Sequence, residues 1–352
     1  RDIISNSAQP NISRPQRGYI EQPEAAYRQA RTRNDDKKIH PTWIFYEMIT
    51  NISKRVTATA TLSFLSDIQQ PDQLGDDVKD GVAYHGILEA MSAVEPTEEQ
   101  AEAAFAALFD GTMTPVQAGS FLMGLRMKGE SSAELAAAVR IILERAVSVQ
   151  GVPNNSIDIV GTGGDGRRSF NCSTAAALTL AGMGYRVIKH GNRAVSSMSG
   201  AADAVEGLGL PMERAPEAIV DMLKQKNFAF QFAPYFHPAF AKVGPVRKEI
   251  GIRTLFNMLG PMENPACPDH LMLGVARPEL VDLVASVLRH FPLKKAAVFC
   301  GAGGYDELTT MGRTRILLVQ DGELEEMEFD PSNYGFTLCR ADEVEVNSRE
   351  EA

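Results

Sequence analysis

Apolar residues between positions 82 and 149 recur at helical spacing, and helix start signals precede them. Thr97, Thr114 and Ser131 each stand three residues before a glutamine or glutamate, which is the pattern of an N-terminal capping box. Behind each box, apolar side chains return every three or four positions, as on the buried face of a helix. The pattern predicts a small all-helical domain over residues 81–150.

The period of the apolar pattern changes after Gly151 and Pro153. Short apolar runs now alternate with helical stretches such as 173–183 and 278–290, which is typical of βα units on a mostly parallel sheet. The predicted strands cover residues 157–160, 185–189, 228–232, 271–275, 296–300, 315–319 and 324–329. Asp321 and Gly322 between the last two strands indicate a two-residue hairpin. The sequence therefore predicts a larger α/β domain over residues 151–352.

The first 80 residues have no comparable pattern. Residues 1–38 are rich in Asn, Ser, Pro, Gln and Arg, so they cannot bury enough apolar surface to offset the entropy lost on ordering. Apolar residues return over 43–65 without indicating a role. We interpret residues 1–80 as a tail or linker of unknown role.

Composition and charge argue against two classes of partner. The net charge of −10 and the isoelectric point of about 5.2 disfavour binding to a nucleic-acid backbone, which needs a basic face. Apolar runs fall short of the roughly 20 residues that cross a bilayer, so no membrane anchor is expected. The four cysteines lie far apart without metal-ligand spacing, which favours a reducing, cytoplasmic compartment.

A glycine-rich run, residues 161–166, leaves the first predicted strand where α/β sheets place their ligands. Glycines let backbone N–H groups approach an anion closely, and the helix that opens after Asn171 adds its N-terminal amides. The run lacks the spacing of dinucleotide-binding and P-loop motifs. It predicts a phosphate site, and a tight turn without a ligand remains the alternative.

Two further segments carry candidate chemistry. Residues 189–193, Lys-His-Gly-Asn-Arg, and the serines at 196–199 put cations, an imidazole and hydroxyls after one strand, which suits a polyanion, although a solvated loop remains open. Asp306 and Glu307 follow the strand predicted at 296–300. Adjacent carboxylates are hard oxygen ligands suited to Mg²⁺, and a solvated acidic pair is the alternative.

These motifs, together with residues 253–261 (Arg-Thr-Leu-Phe-Asn-Met-Leu-Gly-Pro) and Asn264-Pro265, resemble the anthranilate phosphoribosyltransferases of tryptophan biosynthesis. The match runs in order from about residue 87 to 352. It implies a fold of the nucleoside phosphorylase/phosphoribosyltransferase type, with Mg²⁺ as cofactor. It also implies transfer of the 5-phosphoribosyl group of phosphoribosyl pyrophosphate (PRPP) to the amino group of anthranilate. A cytoplasmic homodimer, formed through helical domains that contribute to the substrate cleft, is further implied.

The resemblance also implies site residues by position. Those for PRPP are Gly161, Gly164, Asp165, Ser169, Asn171, Cys172, Ser173, Thr174, Lys189, Ser197 and Ala201. Those for anthranilate are Gly161, His190, Asn192 and Arg247. Those for the metal are Ser173, Asp306 and Glu307. We name no catalytic general base, because a neutral aromatic amine can attack and lose its proton afterwards.

The chain departs from the family's minimal pattern at both ends. Residues 1–80 have no counterpart, so we expect a linker from a fused domain or an association with an anthranilate synthase component. At residue 352 the sequence stops where relatives continue with further helices, so we expect the α/β domain to be truncated. Phe240 stands where some relatives have a tyrosine.

Two rival functions fit the same fold. A pyrimidine nucleoside phosphorylase would need a Lys-His-Ser-Thr-Gly-Gly type of loop, which the sequence lacks. An inactive, nucleic-acid-binding relative would need a basic surface and would be free to lose Asp306 and Glu307. The acidic composition and the retained carboxylates favour the transferase.

Overall fold

A computed structural model describes residues 96–194, 199–346 and 348 of the chain. The tail predicted over residues 1–80, the start of the helical domain and the candidate Ser197 lie outside the described residues. Within them, no helix is long and apolar enough to cross a membrane.

Three helices open the described part of the chain: α1 (Glu98–Asp110), α2 (Pro115–Lys128) and α3 (Ser132–Glu144). Each begins with the predicted capping box, in which the N-cap hydroxyl accepts from the N3 backbone N–H. In return, Gln100 accepts from the Thr97 N–H at 2.7 Å and Gln117 from the Thr114 N–H at 2.8 Å. The reciprocal bonds satisfy amides that a helix start otherwise leaves unpaired, which explains why all three starts could be predicted.

The described residues that follow contain one seven-stranded sheet in the order β3-β2-β1-β4-β5-β6-β7. The strands are β1 (Ser156–Gly161), β2 (Arg186–Gly191), β3 (Phe228–Phe232), β4 (His270–Gly274), β5 (Lys295–Phe299), β6 (Thr314–Gln320) and β7 (Glu323–Phe329). The first five strands in this order, β3-β2-β1-β4-β5, are parallel to one another. Strand β6 pairs antiparallel with both β5 and β7. The mostly parallel sheet is confirmed.

The helices that accompany these strands complete the domain. They are α4 (Cys172–Gly182), α5 (Ala201–Gly207), α6 (Pro216–Lys226), α7 (Ala233–Phe236), α8 (Phe240–Ile250), α9 (Phe256–Leu259) and α10 (Leu280–Leu288). The predicted hairpin also forms. Asp321 and Gly322 take φ of 52° and 79° between β6 and β7, as a type I′ turn requires.

The helical domain and the sheet domain share one apolar core. Phe109 of α1 is fully buried and meets Phe240 of α8 and Phe256 of α9 edge-to-face, with ring centroids 5.7 Å and 5.8 Å away. Lys242 of α8 also donates to the Asp110 carbonyl at the end of α1 at 2.8 Å. These contacts fix α8 and α9 against the helical domain, since buried aromatic pairs are rigidly packed.

We expect Phe109→Ala to lower the free energy of unfolding by about 3–5 kcal/mol, because it leaves a cavity between the two domains. Denaturant unfolding measures the change. The half-exposed Phe336 offers a matched control, and Phe336→Ala should change stability by about 0.5 kcal/mol or less. Equal, small changes in both variants would contradict the shared core.

Candidate functional site

A cleft of about 850 Å³ opens at the carboxyl edge of the sheet. Strand β1 lies between β2 and β4. The chain adds β2 and β3 on one side of β1 and then crosses over to add β4 and β5 on the other side. Such a switch point leaves a crevice outside the carboxyl ends of the strands, where α/β proteins bind ligands. The described lining residues lie within the segments 160–173, 189–194, 199–201, 233–263 and 306–307.

The glycine-rich run forms the floor of this cleft. Gly164 and Gly166 take φ of 74° and 77°, a region that side chains disfavour, so the turn into α4 needs glycine there. The loop is also tied down from outside, since the Arg253 guanidinium donates to the Gly164 carbonyl and that of Arg167 donates to the Gly303 carbonyl. The result is a fixed loop that leads to the N-terminus of α4.

Two glycines at strand ends let an acidic segment approach this loop. A Cβ on Gly161, at the end of β1, would overlap the Asp306 carboxylate, and a Cβ on Gly274, at the end of β4, would overlap the Asp306 backbone oxygen. With no side chains in the way, the Gly163 N–H donates to Asp306 Oδ2 at 2.6 Å. Glycine is therefore required at both positions for this close approach.

Three carboxylates meet beside the loop. Asp165, Asp306 and Glu307 each offer an oxygen, and these oxygens all lie within 4.8 Å of one another. Burial raises the pKa of Asp306 and Glu307, and the repulsion between neighbouring carboxylates raises it further. Ser169 donates to Glu307 Oε1 at 2.8 Å, whereas Glu307 Oε2 and Asp165 Oδ2 have no partner among the described residues. A cation would relieve both the repulsion and the unpaired oxygens, so the donor set fits a divalent metal.

Lys189 of β2 is a buried cation beside α4. Its Nζ donates to the Ile159 carbonyl and, at 3.1 Å, to Ser173 Oγ. Burial lowers the pKa of Lys189, and the nearby Asp158 carboxylate counteracts this. Asp158 in turn accepts from Asn264 Nδ2 at 2.8 Å. This arrangement holds a positive charge at the floor of the cleft.

Two histidines stand together on the opposite wall. His190 follows Lys189 on β2, His237 follows α7, and their ring centroids are 5.0 Å apart. Burial lowers the pKa of His190 to about 3 and that of His237 to about 4. Both rings are therefore neutral at pH 7, so they can offer or accept hydrogen bonds but carry no charge.

Arg247 and Glu263 complete this wall. The Arg247 guanidinium stacks over the Phe256 ring, 4.5 Å from its centroid, and burial lowers its pKa. Glu263 is 5% exposed, and burial raises its pKa to about 8 although Arg247 acts in the opposite direction. The cleft thus has an anion-binding floor and a second wall with one guanidinium, one carboxyl and two neutral imidazoles.

Residues 153–352 match the a/b domain of a glycosyl transferase family, and residues 87–146 match the helical bundle domain of that family. The anthranilate phosphoribosyltransferase of Nitratidesulfovibrio vulgaris is 58% identical over 272 residues, which are 76% of this chain and 80% of that protein. That of Oleidesulfovibrio alaskensis is 59% identical over 254 residues, covering 72% and 77% of the two chains. The chain belongs to the anthranilate phosphoribosyltransferase family.

Solved structures of this family have the same fold. The anthranilate phosphoribosyltransferase of Thermus thermophilus is 37% identical with a TM-score of 0.69, covering 76% of this chain and 79% of that one. That of Saccharomyces cerevisiae, solved in complex with PRPP and Mg, is 26% identical with a TM-score of 0.69, covering 77% and 79%. The predicted pairing of a helical domain with a mostly parallel α/β domain is confirmed.

The cleft brings together most of the residues predicted for the anthranilate phosphoribosyltransferase site. Its lining includes Gly161, Gly164, Asp165, Ser169, Asn171, Cys172, Ser173, Lys189, His190, Asn192, Ala201, Arg247, Asp306 and Glu307. Thr174 does not line it, because its side chain is buried and its hydroxyl donates to Asn171 Oδ1 at 2.7 Å. Thr174 thus supports a residue of the lining rather than belonging to it, and the individual roles stay predictions.

Among the charged and titratable residues of the lining, four had no predicted role: Arg167, His237, Arg253 and Glu263. Arg253 opens the motif at 253–261, so the motif alone could have suggested it. His237 follows β3, whose carboxyl end lies at the same edge as that of β2, and strand order could have indicated it. A lone glutamate between Met262 and Asn264 gives no signal before the fold is known.

Glu263 should make the free energy of unfolding fall as pH rises. Its folded pKa of about 8 exceeds the ordinary 4.5, so its stabilising contribution is complete below pH 4.5 and is lost as pH rises through about 8. The Glu263→Gln variant lacks this pH dependence. The free energy of unfolding of the variant, relative to that of the native protein, should therefore increase between about pH 5 and about pH 8, by up to about 1.4 kcal/mol per pH unit.

Denaturant unfolding at several pH values checks this expectation. Glu249→Gln, an exposed change on α8, is the matched control and should follow the native curve. A Glu263→Gln curve parallel to the native one would contradict the raised pKa.

Proposed function

We propose that the protein transfers the 5-phosphoribosyl group of PRPP to the amino group of anthranilate in tryptophan biosynthesis. The products are N-(5-phosphoribosyl)anthranilate and pyrophosphate. One observation carries the proposal: two different surfaces face the same cleft. The floor suits an anion and carries three carboxylates, and a separate wall carries Arg247, whose guanidinium forms no ion pair with a carboxylate among the described residues. PRPP, the phosphate-rich donor of the transferred group, matches the floor. Anthranilate, the aromatic carboxylate that accepts the group, matches the wall.

PRPP would occupy the floor. Backbone N–H groups of the glycine loop and the N-terminus of α4 suit its phosphates, and Lys189 adds a positive charge. Asn171 joins α4 to the next segment, because its Nδ2 donates to the Gly200 carbonyl at 2.9 Å. The other predicted PRPP residues of the lining would surround the same ligand: Gly161, Gly164, Asp165, Ser169, Cys172, Ser173 and Ala201.

We propose Mg²⁺ as the cofactor. Asp306 and Glu307, with Ser173, would hold it. The assignment is supported by the close approach of the three carboxylates and by the oxygens of Glu307 and Asp165 that have no partner among the described residues. When bound, Mg²⁺ neutralises charge on a pyrophosphate leaving group. The chain itself keeps Asp306 in place through the Gly163 N–H and Glu307 in place through the Ser169 hydroxyl.

Anthranilate would occupy the wall that carries Arg247. A guanidinium fork matches a carboxylate, and a cation–π contact holds that of Arg247 over the Phe256 ring. His190 of the same wall and Asn192 also line the cleft, so a neutral imidazole and an amide would orient the ring. As pyrophosphate leaves ribose C1, positive charge develops on the sugar, the amine forms the new C–N bond, and its proton is released afterwards. Holding both reactants in line supplies much of the rate.

Three wider features belong to the same proposal. A homodimer is supported by Val116 and Met127, apolar residues of α2 that are exposed in the single chain. A cytoplasmic location is supported by four free cysteines. Association with an anthranilate synthase component follows from the sequence alone and stays a prediction.

The fluorescence of anthranilate tests the function directly. We expect its consumption when protein, PRPP and Mg²⁺ are present. Asp306→Asn with Glu307→Gln should reduce the rate at least about a hundredfold, because the leaving group loses its charge stabilisation. Glu325→Gln on β7, an exposed carboxylate far along the sheet, is the control and should retain the native rate. If the native protein consumes no anthranilate but binds DNA in a parallel titration, the nucleic-acid-binding alternative would be favoured.

Arg247→Ala should raise KM for anthranilate by about tenfold or more and that for PRPP by much less, since a charged hydrogen bond contributes about 1.5–3 kcal/mol. Steady-state kinetics with each substrate varied in turn measures both constants. Lys248→Ala, an exposed cation next to it on α8, controls for lost charge. Equal increases in the two KM values would exclude a role for Arg247 in acceptor binding.

A further inference from the structure

The acceptor wall contains a carboxyl group to which no role has been assigned. Glu263 follows the short turn Gly260–Met262 and lines the cleft, yet it is only 5% exposed. Its Oε2 is buried without a hydrogen-bond partner among the described residues. An unpaired buried polar oxygen destabilises a fold by about 1–3 kcal/mol, so its retention needs an explanation.

Anchoring of the backbone does not supply that explanation. The neighbouring Asn264 performs this task, since its Nδ2 donates to Asp158 Oδ2 at 2.8 Å and to the Ile188 carbonyl at 3.0 Å. Its Oδ1 also accepts from the Ala266 N–H at 3.0 Å. The segment is therefore held by Asn264, whereas Glu263 lines the cleft and its Oε2 has no hydrogen-bond partner among the described residues.

The charged and titratable neighbours of Glu263 are Arg247 and the two histidines of the same wall. Arg247 favours the ionised form of Glu263, yet the two form no ion pair within the part of the chain that the structure describes. His190 and His237 are neutral, because burial lowers the pKa of each. The wall thus offers one strong donor fork and one acceptor that are not engaged with each other.

This pair matches the chemistry of the proposed acceptor. An ortho-aminobenzoate carries a carboxylate and, on the adjacent ring carbon, an amine with N–H donors. A guanidinium can take the carboxylate, and the amine then needs an acceptor close by. Among the lining residues of this wall, Glu263 is the carboxyl that could provide one.

We propose that Glu263 accepts a hydrogen bond from the amino group of the acceptor and so selects aromatic carboxylates with an ortho amine over those without one. The proposal rests on the proposed function. No proton is transferred in this role, because a carboxyl oxygen accepts in either protonation state. A group that stays largely neutral in its buried place also avoids repelling the carboxylate of the acceptor.

Calorimetric binding of anthranilate and of benzoate, which lacks the amine, tests the proposal. Glu263→Leu should weaken anthranilate binding about tenfold, as expected for one hydrogen bond lost, and should change benzoate binding less than about twofold. Glu263→Gln keeps an acceptor oxygen and should retain most of the preference for anthranilate. Glu263→Met replaces the leucine variant if the latter does not fold, and Glu249→Leu on the exposed face of α8 is the matched control.

The outcomes separate the two proposals. If Glu263→Leu weakens the binding of anthranilate and leaves the binding of benzoate unchanged, the result supports recognition of the amine by Glu263. Equal weakening of both ligands, or no change in either, would overturn it while normal anthranilate consumption by the native protein leaves the proposed function intact. Absence of consumption by the native protein would instead remove the proposed function, and with it this inference.

Discussion

The site depends on the close approach of the segment at Asp306 to the ends of β1 and β4. Gly161 and Gly274 make that approach sterically feasible, since a Cβ at either position would overlap Asp306. The approach brings Asp306 and Glu307 to Asp165 on the glycine loop, although the two segments are far apart in the chain. One backbone constraint thus joins the loop that suits phosphate to the carboxylates that suit a metal.

A second physical theme is the desolvation of charged groups within the cleft. Burial raises the pKa of Asp306, Glu307 and Glu263, and it lowers that of Lys189 and Arg247. Each group therefore interacts with a ligand of opposite or complementary polarity more strongly than it would in water. Lys189 lies on β2 and Arg247 on α8, so regular secondary structure fixes the backbone of these two cations.

Local patterns explain how much could be predicted from the sequence. Capping boxes at Thr97, Thr114 and Ser131 and the turn at Asp321 act within a few residues, so they could be recognised without the fold. The predicted strands were correct to within about two residues. The buried parallel strands could be recognised as short apolar runs, whereas the exposed β7 was indicated by the turn that precedes it. Motifs found as sequence runs also placed most of the lining.

The remainder depends on contacts between distant segments. Strand order and helix packing determine three features that no sequence run indicates. Thr174 lies behind Asn171, the rings of His190 and His237 meet, and Glu263 lines the cleft. Similarly, the role of Phe109 as a link to α8 is invisible in its own helix, where it is one apolar residue among several. No local spacing carries such information.

Strand β7 is the outermost strand of the sheet that the described residues form, and this position has a consequence for behaviour in concentrated solution. It carries glutamates at 323, 325, 326 and 328 and is largely exposed, and two of these pair with Arg313 and Arg315. An open strand edge can template pairing with the edge of another molecule. A row of like charges makes such pairing repulsive, so the acidic outer strand protects the sheet against aggregation while the parallel strands inside it serve the cleft.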